Sequence, residues 1–182
     1  MRNENDSFEL PRQEQAAAVA VAGGETLTWY TPVRFDPGLL RKLLDQHTAL
    51  GQHVASLPSR FGRDREDALK AAYACAGKLH ELRRQEALWI YPVMSRNFAG
   101  DPVSRRQLLN LRFVMNGLAR RVLRSIDELT RAMRLASDVA AATASVTAAL
   151  AEYRQRNESE LYTLYSLMDP RRSAATSRPQ AG

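Results

Sequence analysis

Two Asp-Pro pairs constrain the fold of this chain most strongly, because each one marks the start of a long helix. In Asp36-Pro37 and Asp101-Pro102, a side-chain acceptor precedes a proline at the first helical position, where the missing N–H costs no hydrogen bond. Other pairs stop helices or form turns, namely Leu57-Pro58, Phe61-Gly62 and Asp169-Pro170. Together these signals predict four helices, over residues 37–57, 64–94, 102–135 and 138–168.

Apolar side chains recur at every third or fourth position in all four segments, which is the spacing that buries one face of a helix. The composition agrees, since aromatic residues make up only 7% of the chain. Four long helices with short connections predict an all-α, antiparallel up-down four-helix bundle over residues 36–168. The predicted inward residues, helix by helix, are Leu40, Leu43, His47, Leu50, Val54 and Leu57; Leu69, Ala72, Ala76, Leu79, Leu82, Glu86, Ile90 and Val93; Leu108, Leu111, Met115, Leu118, Val122, Ile126, Leu129 and Met133; and Val139, Val146, Leu150, Tyr153, Asn157, Leu161, Leu164 and Met168.

The two ends of the chain lack this periodicity. Residues 1–35 are predicted to form a flexible N-terminal arm with Trp29 or Phe35 as an anchor, and residues 169–182 a disordered tail. The first twenty residues hold no apolar signal-peptide core, and no run approaches the length of a membrane span. With a single cysteine, the chain can form neither an internal disulfide nor a thiolate zinc site. We therefore expect a cytoplasmic protein that does not act at a membrane.

Four polar residues occupy positions in the apolar stripes where hydrophobic side chains belong. They are His47, Glu86, Tyr153 and Asn157, on the first, second and fourth predicted helices. A buried carboxylate is costly unless it is paired, so these residues are predicted to satisfy one another in a polar core network. The alternative is that the stripes are slightly rotated and that His47 or Glu86 reaches water at the end of the bundle.

The segments around these residues form a recognisable pattern. His47 lies in LLDQHTALG, Glu86 lies in RRQEALWIYPVM, and the last helix contains NESELYTLYSLMD. Together with the lead VRFDPGLLRKLLDQH, these segments resemble hemerythrin-like (HHE cation-binding) domains, in the order and spacing of that family, over residues 35–168. The resemblance implies a four-helix bundle with a di-iron site between its helices.

Only two of that family's ligand positions are matched here, by His47 and Glu86. Iron at a non-haem oxygen site needs at least two histidines and one carboxylate, so we expect no metal cofactor and a former metal site that has become a hydrogen-bonded core. The alternative is an iron or oxygen sensor that keeps His47 and Glu86 and adds an unconventional ligand such as Glu158 or Glu160. The remaining ligand positions of the family are occupied by Leu82, Met115, Asn116, Tyr153 and Asn157.

Arginine dominates the net charge of +6, and eight arginines lie in the third predicted helix on the side opposite its apolar stripe. The usual meaning of such a face is solvation, and the functional alternative is docking to an acidic protein. Nucleic acid ranks third, since the face has no interleaved aromatic residues and no groove-entering motif. The residues predicted to bind the acidic partner are Arg120, Arg121, Arg124 and Arg131.

No residues are candidates for catalysis, because the chain has no glycine-rich phosphate loop, no Ser/His/Asp set and no close carboxylate pair beside a substrate cleft. Together with the resemblance, which implies a bacterial protein of hemerythrin-like type, this predicts a non-enzymatic protein that acts as a regulatory protein-interaction module. Whether it forms a homodimer is left open.

Overall fold

The computed structural model describes residues 34–171, and this part of the chain is all-helical, with no strand. Nearly all of the predicted arm, including Trp29, and most of the predicted tail lie outside the described residues. Within residues 34–171, no helix is both long and apolar enough to cross a membrane. The four helical rods are α1 (Pro37–Phe61); α2 (Arg65–Gln85), which continues through a first π segment (Glu86–Ile90) into α3 (Tyr91–Asn97); α4 (Pro102–Leu135); and α5 (Val139–Arg156), which continues through a second π segment (Asn157–Tyr162) into α6 (Thr163–Ser166).

An aspartate begins each rod by accepting hydrogen bonds from backbone N–H groups of the first turn. Asp36 and Asp101 each accept from the N–H two residues later, at 2.8 and 2.9 Å. Asp64 caps α2 by accepting from the N–H groups two and three residues later, and Asp138 caps α5 by accepting from the N–H three residues later. Each of these caps satisfies an N–H that the helix itself leaves without a partner. The helix starts predicted from the two Asp-Pro pairs are confirmed.

The first rod passes through a proline, so the predicted stop at Leu57-Pro58 is wrong. α1 continues to Phe61, after which the Gly62 N–H bonds to the Pro58 carbonyl at 3.1 Å. A proline inside a helix removes one backbone hydrogen bond, and here only one turn of helix follows it. Leu57 is buried and Phe61 packs against the core, so apolar burial on both sides of Pro58 keeps the last turn helical.

The rods pack in a closed ring, in which α1 contacts α2 and α5, and α4 contacts the same two helices. All eight residues of the apolar stripe predicted for α4 are buried. In the first two rods the stripe is displaced by one residue at three places. The buried residues there are Leu39, Ala68 and Cys75 instead of the predicted Leu40, Leu69 and Ala76.

The π segments change which residues face the core. A π turn holds one residue more than an α turn, so the inward face moves by one position along the chain. In the last rod, Leu164 and Met168 are predicted to be buried but are only partly so, whereas Tyr162 and Tyr165 are buried. A strict 3.6-residue period therefore fails at this point.

Tyr165 anchors the start of α1 to α6. Its hydroxyl accepts a hydrogen bond from the Asp36 N–H at 2.9 Å. The Phe35 ring stacks on the Tyr165 ring, with 4.8 Å between the centroids. Phe35 thus packs as one of the two anchors predicted for this region, and it does so on a residue that the π segment has turned inward.

Candidate functional site

Five polar side chains meet inside the bundle. His47 comes from α1, Glu86 from the first π segment, Tyr153 from α5, and Asn157 and Tyr162 from the second π segment. None of them is more than 4% exposed, which rules out the alternative in which His47 or Glu86 reaches water. The structure brings together the four polar residues that the sequence singles out and adds Tyr162. We call these five residues the buried polar cluster.

Glu86 is the centre of the buried polar cluster. The Tyr153 hydroxyl donates to Oε2 of Glu86 at 2.8 Å, and the Tyr162 hydroxyl donates to Oε1 at 2.9 Å. His47 Nε2 lies 3.0 Å from the Tyr162 hydroxyl but 4.0 Å from Glu86 Oε1. When Glu86 is ionised, Tyr162 gives its proton to the carboxylate, so the Tyr162 oxygen then accepts from the Nε2–H of His47. Within the predicted network, His47 and Glu86 are therefore bridged by a tyrosine and do not bond directly.

Two polar atoms at the edge of the cluster have no partner among the described residues. They are His47 Nδ1 and Asn157 Oδ1. Asn157 Nδ2 approaches His47 Nε2 at 3.5 Å, the longest of these contacts. A buried polar atom without a partner lowers the stability of the fold. The hydrogen bonding is thus most complete at Glu86 and least complete on the side of His47 and Asn157.

Tyr162 is the member of the cluster that the sequence does not reveal. It follows Tyr153 by nine residues, which on a regular α-helix would place the two side chains about 180° apart. The extra residue of the second π segment turns Tyr162 back toward Glu86. Periodicity alone carries no signal for a π turn, so this side chain could be found only from the structure.

Burial sets the protonation of the cluster. It lowers the pKa of His47 to about 4, with the positive charge of Arg154 acting in the same direction. It raises the pKa of Glu86 to about 7, against the hydrogen bonds from Tyr153 and Tyr162. Burial and the charge of Glu86 also raise the pKa of both tyrosines, which keep their protons. Between about pH 4 and about pH 7, the favoured state has a neutral His47 and a protonated Glu86.

The donor atoms of the buried polar cluster do not fit an iron site. His47 and Glu86 are its only histidine and carboxylate, and residues 34–171 contain no group of three or more His, Cys, Asp or Glu side chains that could hold a metal ion. Glu158 and Glu160, the two unconventional ligands considered above, each form an ion pair with the arginine four residues earlier, at 2.5 and 2.8 Å. No chemical step through a metal follows from this arrangement.

The eight arginines of α4 are all exposed, but they differ in their contacts. Arg121 pairs with Glu152 of α5 at 2.5 Å. Arg112 and Arg134 each lie over a tyrosine ring, 5.6 and 5.9 Å from its centroid. No hydrogen bond or ion pair within the described part of the chain engages the remaining five, which are Arg105, Arg106, Arg120, Arg124 and Arg131. Three of the four arginines predicted to bind a partner are therefore unpaired, and Arg121 is already bound within the chain.

Exposed apolar side chains lie among these arginines on α4. The prediction of a binding face from the sequence does not include them. Nine large hydrophobic side chains are exposed in the described chain, and five of them lie on α4. Phe113 is the most exposed of the nine, at 80%, and Leu109 one turn before it is 64% exposed. The spacing could have revealed them, because both positions fall between the arginines rather than in the apolar stripe.

Comparisons with known proteins add no relative. No protein-family model matches the sequence, and searches of curated proteins and of solved structures found no match.

Proposed function

We propose that this protein is a non-enzymatic, cytoplasmic bacterial interaction module with a regulatory role, which binds an acidic protein through the arginines of α4. The proposal includes a hemerythrin-like ancestry, in which an antiparallel up-down four-helix bundle has replaced its metal site by the buried polar cluster. Short connections between successive rods support the antiparallel arrangement. The observation that carries the proposal is a contrast between two regions. The core gives both oxygens of Glu86 hydrogen-bond partners, whereas the surface of α4 has five arginines with no partner within residues 34–171.

The buried polar cluster supports a structural role for the former metal site. Two tyrosine hydroxyls occupy both oxygens of Glu86, and the one near His47 also fills the space between the histidine and the carboxylate. A ligand carboxylate would need these oxygens free to face a metal. Hydrogen bonds within the chain thus satisfy the buried carboxyl group of Glu86, where the metal-binding family would use it to hold an ion.

The arginines support an interaction role because they add little to the stability of the fold. Exposed ion pairs contribute about 0–1 kcal/mol each, and the five unpaired arginines do not form even these. Clustered like charges repel one another, but they attract an acidic partner over a distance and raise the rate of association. The surface is therefore better explained by binding than by folding.

Metal analysis tests the proposal against the iron or oxygen sensor. Protein from cells grown in iron-replete medium is expected to contain far less than one iron per chain and to show no oxo-bridge charge-transfer bands. Because a tyrosinate can ligate ferric iron, the spectrum of Tyr153→Phe serves as the control. Stoichiometric iron, or a visible band that shifts in this variant, would establish the sensor instead.

A pull-down from bacterial lysate at low salt tests the interaction. The variant Arg120→Glu/Arg121→Glu/Arg124→Glu is compared with a control of equal charge change, Arg41→Glu/Arg63→Glu/Arg65→Glu, whose arginines are exposed on other parts of the bundle. We expect loss of bound proteins with the first variant only, and a weaker difference at high salt. Identical partner lists for both variants and the wild type would mean that the α4 arginines are only solvated.

A further inference from the structure

One line of six exposed residues runs along the outside of α4. They are Arg106, Phe113, Gly117, Arg120, Arg124 and Arg131. At about 100° per residue, the six positions fall within an arc of about 60° on the side away from the core. All six are exposed, and from first to last they span about 37 Å of helix. We call this line of six residues the outer seam of α4.

Phe113 gives the outer seam an apolar centre. It is 80% exposed, and Leu109 lies one turn before it at 64%. Four arginines without a partner among the described residues lie on either side, one before Phe113 and three after it. Large aromatic anchors and arginines are the residues that contribute most to the affinity of protein interfaces. The seam therefore combines an anchor with flanking charge of one sign.

At Gly117, next to Phe113, no side chain projects from the surface of α4. A Cβ atom added there would meet no atom within 4 Å, so packing within the chain does not require glycine. Glycine weakens the interior of a helix, yet here it occupies the position one turn after Phe113. Without a side chain, this position lets the backbone of a second helix come close to α4.

We propose that the outer seam of α4 docks an acidic amphipathic helix of a partner protein, whose apolar side chains pack against Phe113 over Gly117 and whose carboxylates face Arg106, Arg120 and Arg124. This inference rests on the proposed function for the acidic nature of the partner. It goes further by assigning the partner's structure and by placing the anchor at Phe113, which the arginine argument alone does not include.

Charge favours this occupant over the other candidates. A second copy of the chain would place arginine against arginine along the same seam, which repels. Asp127 and Glu128 are exposed on the two edges of the seam, where they would face the phosphates of a lipid surface or of a nucleic acid. A narrow acidic helix can contact the seam and leave these two carboxylates outside the interface.

The experiment measures binding of a synthetic acidic helical peptide of about 28 residues, long enough to span the seam at about 1.5 Å per residue. Its central leucines lie among glutamates on one face. A second peptide of the same composition, the isomer, has its leucines on the face of the helix opposite the glutamates. Fluorescence anisotropy with the full chain is measured at about 50 mM and about 300 mM salt, where screening differs strongly. We expect the first peptide to bind at least about tenfold more tightly than its isomer.

Three variants and one control separate the contributions of anchor, glycine and charge. Phe113→Ser is expected to weaken binding at least about tenfold at both salt concentrations. Gly117→Gln should stabilise α4, because glutamine has a higher helix propensity than glycine. It should also weaken binding, because its side chain keeps the partner helix away from the backbone of α4. Arg120→Glu/Arg124→Glu/Arg131→Glu should weaken binding more at about 50 mM than at about 300 mM salt, because the introduced carboxylates repel the acidic peptide and salt screens the repulsion. Leu167→Ser removes an exposed leucine outside α4 and should leave binding unchanged.

Several results would overturn the inference. Equal affinity for both peptides, or unchanged affinity in Phe113→Ser, would mean that the seam is only a charged surface. Phe113-dependent retention on phosphatidylglycerol vesicles would assign it to lipid, and Phe113-dependent dimerisation to a second copy. If the arginine variant loses its partners in the pull-down while Phe113→Ser keeps them, the proposed function stands and this inference fails.

Discussion

The buried polar cluster and the outer seam of α4 use polar side chains in opposite ways. In the cluster, polar groups from three rods lie within hydrogen-bond reach of one another and are almost fully buried. Along the seam, the arginines are exposed and have no partner within the described chain. The first arrangement contributes to folding because an unpaired buried polar group is costly. The second contributes almost nothing to folding, so its residues can serve binding without a conflict with stability.

The sharpest test of this contrast removes the centre of the cluster. Glu86→Ala leaves two tyrosine hydroxyls without their acceptor in a buried site, and we expect a loss of about 1–3 kcal/mol in the free energy of unfolding. Urea unfolding followed by circular dichroism measures it. Arg124→Ala, on the seam, is the matched control and should change stability by less than about 0.5 kcal/mol. Equal midpoints for both variants would show that the cluster is not structural.

The pH dependence of stability tests the charge state of the cluster. Glu86, with its pKa raised to about 7, contributes stability that is complete below its unfolded pKa of about 4.3 and is lost as pH rises through 7. His47, with its pKa lowered to about 4, contributes stability that is present above about pH 6.5 and is lost as pH falls through 4. Between about pH 4.3 and 6.5 the two slopes oppose each other.

Single substitutions should therefore expose one slope at a time. The stability of Glu86→Gln relative to wild type reports the missing Glu86 contribution, so it should fall as pH falls from about 6.5 to 5, by about 1–2 kcal/mol. The stability of His47→Gln relative to wild type reports the missing His47 contribution, so it should fall as pH rises from about 4 to about 6.5. Subtracting the wild-type curve cancels all other titrating groups. Curves parallel to wild type would mean that neither group titrates differently on folding.

A smaller effect is expected at the tyrosine that the π segment supplies. Tyr162→Phe keeps the ring but removes the hydroxyl that bridges His47 and Glu86, which should cost about 1 kcal/mol. Tyr73→Phe removes a hydroxyl from a half-exposed ring that contacts Arg134, and it should be close to neutral. If the two variants have the same melting temperature, the bridge makes no net contribution.

The smallest effect on stability belongs to the seam itself. Arg120→Glu/Arg124→Glu/Arg131→Glu should keep the helical circular dichroism signal and change the free energy of unfolding by no more than about 0.5 kcal/mol, because these arginines form no pair in the described part of the chain. The proposed function predicts that the same variant no longer retains acidic proteins in the pull-down. A large loss of stability would show that these arginines have a structural role and would remove the contrast between the two regions.

Local signals in the sequence were sufficient to predict the four helical rods and the complete buried face of α4. The Asp-Pro pairs located two helix starts because capping depends only on neighbouring residues. The apolar stripe of α4 was predicted without error because this helix is regular throughout. The arginines opposite that stripe were equally predictable, since the angle between two positions on a regular helix depends only on their separation.

Only the tertiary structure decided the composition of the buried polar cluster. Whether a helix widens into a π turn depends on what packs around it, so the sequence placed Glu86 and Asn157 inward but could not bring in Tyr162. The pairing of Arg121 with Glu152, two residues 31 positions apart, likewise needs the packing of α4 against α5. Periodicity specifies a direction from one helix axis, whereas a contact also requires the position of a second helix, and that position is set by the packing of the whole core.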